Sequence, residues 1–282
     1  MIIKKILIFG STGMAGHIIT RYLTSINKYE IFDASLDKLH DKTIEINIED
    51  KELVIDQLRK IRPDIVINCI GILIKESSEK PALAIYINSF FPHFLAKLGT
   101  ELNFKLIHLS TDCVFSGKKG DYSENDLKDG EDHYAKTKAL GEVINNRDLT
   151  FRTSIIGPEI KKNGTGLFHW YMTQNGPING FTNVYWTGVT TLELAKVIDN
   201  AIDQDLSSLY HLVPEEKISK YNLLKLINET WNRNVEILKY GENYNDKSLI
   251  NNRNDFDYKI PNYREMLIEL NEWMKNWDYN LY

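Results

Sequence analysis

The stretch Phe9-Gly-Ser-Thr-Gly-Met-Ala-Gly-His17 decides the fold. It follows an apolar run, Ile2 to Phe9, that reads as a buried strand. It leads into Met14, Ala15, Ile18, Ile19, Tyr22, Leu23 and Ile26, which recur at helical spacing. A strand, a glycine turn and a helix in that order present backbone N–H groups and the positive end of a helix dipole to an anion. Gly10 permits the tight turn, Gly13 lets the backbone approach a pyrophosphate, and Gly16 lets helix and strand pack closely. The spacing is G-x-x-G-x-x-G rather than G-x-G-x-x-G. A plain strand-to-helix turn would not require this glycine series. The segment therefore predicts a dinucleotide site built from Gly10, Ser11, Thr12, Gly13, Met14 and Gly16.

Working outward, apolar runs and helical patterns alternate. Strands are expected at Glu30–Asp33, Thr43–Ile46, Asp64–Asn68, Phe104–Leu109 and Leu149–Thr153. Helices are expected at Lys51–Lys60, closed by Arg62-Pro63, at Pro81–Leu102 and at Asp132–Asn146. Strands separated by helices imply parallel crossovers, hence a Rossmann-type, doubly wound parallel α/β sheet. Past Arg152 the alternation loosens. Helices are expected at Thr191–Ile202, Lys220–Trp231 and Tyr263–Trp277, and the asparagine-rich Asn243–Asn254 reads as a surface loop. This gives a dinucleotide-binding domain over 1–155. Residues 156–282 form mainly a small C-terminal substrate lobe, with elements returning to the core domain.

The chain has 282 residues, 43% of them hydrophobic, with a net charge of −5 and scattered Lys and Arg. Such a balance gives no reason to expect nucleic acid or an anionic membrane as partner. Cys69 and Cys113, the two cysteines, cannot make a disulfide scaffold and suit a reducing cytoplasm. The first strand begins at once, leaving no room for a signal peptide, and no apolar run reaches membrane-spanning length. A cytoplasmic protein is expected. The histidines show no spaced pair, so no metal site is expected.

Tyr134-Ala-Lys-Thr-Lys138 places a phenol and an ammonium four residues apart, on one helix face. An ammonium nearby favours the phenolate, and the pair can pass a proton to a carbonyl oxygen while a hydride moves at carbon. With the glycine turn and Ser110-Thr-Asp-Cys-Val-Phe-Ser-Gly117 at the end of a strand, the chain resembles an extended short-chain dehydrogenase/reductase. More narrowly it is similar to the dTDP-4-dehydrorhamnose reductase group of nucleotide-sugar reductases. Arg62-Pro-Asp-Ile-Val-Ile-Asn68, Gly141-Glu142 and Arg152-Thr-Ser154 also carry the likeness.

The resemblance implies an NAD(P)H-dependent oxidoreductase that reduces a nucleotide-activated 4-keto-6-deoxy sugar at C4, for cell-surface polysaccharide precursors. Tyr134 would protonate the substrate oxygen, Lys138 would hold the nicotinamide ribose and lower the Tyr134 pKa, and Thr111 would bind the reacting oxygen. Asp112 would touch the sugar, while Leu109 and Ser110 would lie near the nicotinamide. Gly71, Ile72 and Leu73 would form a loop against the cofactor, and Asn47 with Ile48 would stand near the adenine. Asp33, about twenty residues past the glycine turn, is placed to accept hydrogen bonds from the adenosine ribose. Its charge favours NADH over NADPH, although the family often accepts both. Ile155 stands where these reductases often carry a tryptophan, and Trp186, Trp170 or His169 offers another wall for the sugar. Lys161, Lys162 and Asn163 read as a solvated loop, with the nucleotide diphosphate as their other possible contact. Cys113 reads as a small buried residue, with an epimerisation base as its other reading. The alternatives are a nucleotide-sugar C4 epimerase or epimerase-reductase, and a non-catalytic cofactor-binding regulatory protein. A homodimer is a further expectation, since helices of this fold commonly pair.

Overall fold

Strands buried on both faces need cover on both sides, and that requirement sets the layers. Ile6 to Phe9, Ile65 to Asn68 and Leu106 to His108 are all buried, as parallel strands between helices must be. The computed structural model of the protein describes residues 3–277 and 279. Ile2, the expected start of the first strand, lies outside them.

The main sheet has eight strands. Its order runs Ser208–His211, Leu149–Ile156, Lys105–Thr111, Ile65–Asn68, Lys5–Phe9, Glu30–Ser35 and Ile44–Glu45, with Gly188–Thr190 beside the C-terminal end of Leu149–Ile156. Each of these pairings is parallel. The winding reverses between Lys5–Phe9 and Ile65–Asn68, so a crevice opens above their C-terminal ends. The helices Met14–Ser25, Thr191–Asp203 and Tyr263–Met274 bury Ile18, Leu194, Ile198 and Leu267 on one face. Lys51–Ile61 and Phe91–Leu102 bury Val54, Leu58, Phe91 and Leu95 on the other.

Local chemistry sets most element boundaries. Asp50 caps the helix Lys51–Ile61 by accepting from the Leu53 N–H, and Arg62 ends it in a left-handed conformation just before Pro63. The long helix from Pro81 to Leu102 contains a π-helical segment, Ile85–Phe90. Pro92 has no N–H to give the carbonyl of Asn88 four residues earlier. That carbonyl instead lies against Gly141, where a Cβ would sit 1.8 Å from it.

Two expectations are corrected. The helix predicted over Asp132–Asn146 spans only His133–Leu140. Gly141 must press on Asn88, and Glu142 must turn inward to meet Arg152, so the chain leaves the helix there. The expected surface loop 243–254 also contributes to the interior. Asn245–Asp246 pairs with Val184–Trp186, and Ser248 and Leu249 are buried.

Three buried histidines are held neutral. The Nε2 of His211 accepts from the Arg152 guanidinium at 2.6 Å while its Nδ1–H donates to the Ile250 carbonyl at 2.8 Å. His17 donates from Nδ1 to the Gly13 carbonyl at 2.8 Å. Burial foremost lowers both from 6.5 to about 4, and burial pushes His108 well below its usual value. In the unfolded chain these rings take up protons near pH 6.5. Stability from His17 and His211 is therefore fully present above pH 6.5 and is lost as the pH falls towards 4. We expect Tm to drop by about 10 °C or more between pH 7 and 4.5. Calorimetry across that range checks this, and a flat Tm would contradict it.

Candidate active site

The glycine turn is built as a cradle for an anion. Gly10 has φ +83°, and its N–H donates to the Ala34 carbonyl at 2.8 Å. A Cβ on Gly16 would lie 2.1 Å from the Gly10 carbonyl oxygen, so only glycine lets the helix start this close to the strand. A Cβ on Gly13, the N-cap, would meet only that same carbonyl, at 3.3 Å, so its other side is open. Ser11 and Thr12 point inward and brace the turn. Ser11 Oγ donates to Asp33 Oδ2 at 2.7 Å, and Thr12 and Ser35 share a hydrogen bond of 2.6 Å. Met14 opens the helix, and its Cε abuts Gly166. This bare, donor-rich turn fits the pyrophosphate of a dinucleotide.

Asp33 is buried, and its other oxygen lies 3.2 Å from His40 Nε2. The strand continues past it to Ser35. Asn47 is exposed and accepts from the Glu49 N–H at 3.1 Å, whereas Ile48 is buried in the core with its carbonyl accepting from Tyr86. These two residues flank the sheet edge beyond Asp33.

Sheet order brings the chemistry next to this turn. A Cβ on Gly10 would touch Ile70 and Cys69, which follow the neighbouring strand, and a Cβ on Gly71 would come within 4.0 Å of Lys138 Nζ. Lys138 Nζ donates to the Leu109 carbonyl at 2.6 Å. Burial lowers its pKa to about 8. Thr111 ends its strand beside the helix that carries Tyr134, and its Oγ1 donates to Asp112 Oδ1 at 3.0 Å. Asp132 caps the helix that carries Tyr134 and Lys138 by accepting from the Ala135 N–H at 2.7 Å.

The phenol differs from expectation. Burial raises the Tyr134 pKa, the nearby Thr111 side chain offsets part of that rise, and the Lys138 ammonium is engaged by the Leu109 carbonyl. Buried Asp112 is likewise raised by desolvation, with Lys247 and Lys220 pulling it back. Ser110 Oγ donates to Glu142 Oε1 at 2.7 Å, and Arg152 binds both oxygens of Glu142 at 2.8 and 2.7 Å. Ser110 therefore belongs to the buried ion network behind the strand. Ile155 is half-buried against the core. Trp186 is buried too, its Nε1–H donating to Ser154 Oγ at 2.8 Å. Lys161 turns away to Asp37.

Sequence reading missed Asn88. Its Oδ1 accepts from the Ile72 N–H and its Nδ2 donates to the Ile72 carbonyl, both at 3.0 Å. The loop Gly71–Leu73 is thereby fixed beside Lys138, with Leu73 left half exposed. An asparagine on the apolar face of a helix, four residues before a proline, was the signal available.

Residues 4–245 match the family described as RmlD substrate binding domain. The chain belongs to that family. It is 29% identical to the dTDP-4-dehydrorhamnose reductase of Escherichia coli K12 over 238 residues, covering 80% of this chain and 77% of that protein. Against the Salmonella typhimurium dTDP-4-dehydrorhamnose reductase it is 31% identical over 157 residues. That match spans 53% of this chain and only about half, 50%, of the relative's length. The crystal structure of the Bacillus anthracis dTDP-4-dehydrorhamnose reductase in complex with NADP shares the fold. Its TM-score is 0.82 at 21% identity, over 95% of this chain and 99% of that one. The RmlD-family fold thus covers the glycine turn, the Thr111 strand end and the Tyr134 helix in one match.

Should Lys138 hold the ribose of the cofactor, it would do so as an ammonium only below about pH 8. We expect NADH affinity, read by fluorescence titration, to hold between pH 6.5 and 7.5. Above pH 8 it should fall by up to about tenfold per unit. Lys138→Met should lack this dependence, and a wild-type curve flat to pH 10 would refute it.

Proposed function

We propose that this RmlD-family protein is an NAD(P)H-dependent reductase of a nucleotide-activated 4-keto-6-deoxy sugar, with dTDP-4-dehydrorhamnose the foremost candidate. One observation carries the reading. Tyr134, Thr111 and Lys138 stand at the same sheet edge as the glycine turn, with Lys138 Nζ held by the Leu109 carbonyl. The bound nicotinamide would supply the hydride for the sugar carbon. The chain's own residues handle the oxygen. Tyr134, kept protonated by burial, donates its proton to the emerging alkoxide, which is the task of an acid rather than of a phenolate. Thr111 orients the phenol and offers a fixed dipole at the same oxygen. Lys138 positions the ribose and stabilises the phenolate left behind. Gly10 to Gly16 and the Gly71–Leu73 loop hold the dinucleotide.

The combined epimerase-reductase alternative, which needs an extra base, is weakened by Cys113. Burial pushes its thiol to about 12, so almost no thiolate is available at neutral pH to remove a carbon-bound proton. We expect Tyr134→Phe to lose about a hundredfold or more in kcat while keeping NADH affinity. The assay is NADH and NADPH oxidation with dTDP-, UDP- and GDP-linked 4-keto-6-deoxy sugars. Near-normal turnover by the variant would remove Tyr134 from its role.

The buried carboxylate of Asp33 supports NADH as the preferred cofactor, because it repels a 2′-phosphate. Asp33→Asn should raise the NADPH-to-NADH affinity ratio by about tenfold, the effect of one charge at close range. An unchanged ratio in paired titrations would locate the preference elsewhere.

A further inference from the structure

The C-terminal part delivers two cations to the catalytic strand end that the chemistry above does not use. Ile218–Ser219, Val184–Trp186 and Asn245–Asp246 form a three-stranded sheet with Val184–Trp186 in the middle. Ile218 pairs with Trp186 and Asp246 pairs with Tyr185. Lys220 and Lys247 therefore leave the two outer strands on either side of the strand that holds Trp186. Lys220 Nζ lies 6.0 Å from the centre of the Trp186 ring. Lys247 lines a cavity of about 260 Å³ with Cys113, Phe115, Ser116 and Asp132, the cap of the Tyr134 helix.

Both ammoniums act through space on the Asp112 carboxyl and on Cys113. Neither makes an ion pair within 4.0 Å or a hydrogen bond among the described residues. Lys217, three residues before Lys220, is by contrast clamped by Asp121 at 2.9 Å and Asp246 at 2.8 Å. The position of Lys220 is also costly. It is half-buried at the first residue of the helix Lys220–Thr230, where the dipole disfavours a cation. A partly buried cation without a partner in a cleft marks a candidate ligand site.

We propose that Lys220 and Lys247 form the site for the diphosphate of a nucleotide sugar, facing Asp112 across the substrate cleft. This rests on the reductase reading for the identity of the substrate. Two point charges match a dianion. The Asp112 carboxylate opposite repels phosphate and accepts from sugar hydroxyls, so the substrate has one favourable direction of entry. The sugar then lies towards Thr111 and Tyr134 and the diphosphate towards the C-terminal part.

Calorimetric titration tests the site with dTDP, UDP, GDP and thymidine as probes. The proteins are the wild type, Lys220→Met, Lys247→Met, the double variant, and Lys220→Arg with Lys247→Arg. At least one nucleoside diphosphate should bind the wild type, with affinity falling as salt rises. Each methionine variant should lose about tenfold, the arginine variants less, with NADH and thymidine affinities unchanged. In turnover, KM should rise more than kcat falls. The proposal is overturned if no diphosphate binds. It is also overturned if the double variant binds one as the wild type does, or if wild-type affinity ignores salt. Should the methionine variants fail to hold NADH, the arginine pair and the salt series decide. Salt-sensitive diphosphate binding through these lysines without turnover of any nucleotide sugar would sink the reductase reading and leave the site. Turnover with lysine-independent diphosphate binding would do the reverse.

Discussion

The close passage of Gly16 over the Gly10 carbonyl is the constraint on which the rest depends. A Cβ there would overlap the oxygen at 2.1 Å. Without that contact the helix Met14–Ser25 could not begin directly above the end of Lys5–Phe9. Its free N–H groups would then not face the crevice where the sheet reverses direction. Ser11, Thr12, Asp33 and Ser35 tie the turn to the next strand with buried hydrogen bonds. The anion cradle is therefore rigid before any ligand arrives, which lowers the ordering cost of binding.

A second constraint lies behind the Thr111 end of the strand Lys105–Thr111. Glu142 and Arg152 are buried together, and Ser110, Lys128 and His211 complete their hydrogen bonds. A buried pair of this kind is weak evidence for net stability, but removing one member leaves a stranded charge at a cost of about 3–5 kcal/mol. Here it fixes geometry. It joins Lys105–Thr111 to Leu149–Ile156 and pulls the chain out of the helix just after Lys138. The Asn88 carbonyl freed by Pro92 presses on Gly141 from the other side. The C-terminal end of the short helix that carries the phenol and the lysine is thus held from two sides.

Burial then sets opposite proton affinities for the two groups on that helix. The Tyr134 phenol rises and the Lys138 ammonium falls to about 8. Sequence spacing suggested that the lysine would lower the phenol. In the folded protein desolvation is the larger effect on each group, and the Lys138 ammonium spends its hydrogen bond on Leu109. For a reduction this is the useful arrangement, since the phenol must carry its proton until the alkoxide appears.

The sequence by itself determined the alternation of strands and helices, the parallel sheet, the glycine turn, and the shared face of Tyr134 and Lys138. Those signals are local: hydrophobic period, turn chemistry and capping act over a few residues. Only the tertiary structure decided that the helix stops at Leu140, that Asn88 pins Ile72, and that His40 reaches Asp33. It also decided that Lys220 and Lys247 flank Trp186 and act on Asp112, and that Trp186 is itself held by Ser154. These depend on burial and on charges brought together from distant parts of the chain. Desolvation and Coulomb energies depend on where groups end up in space, and no window of sequence records that.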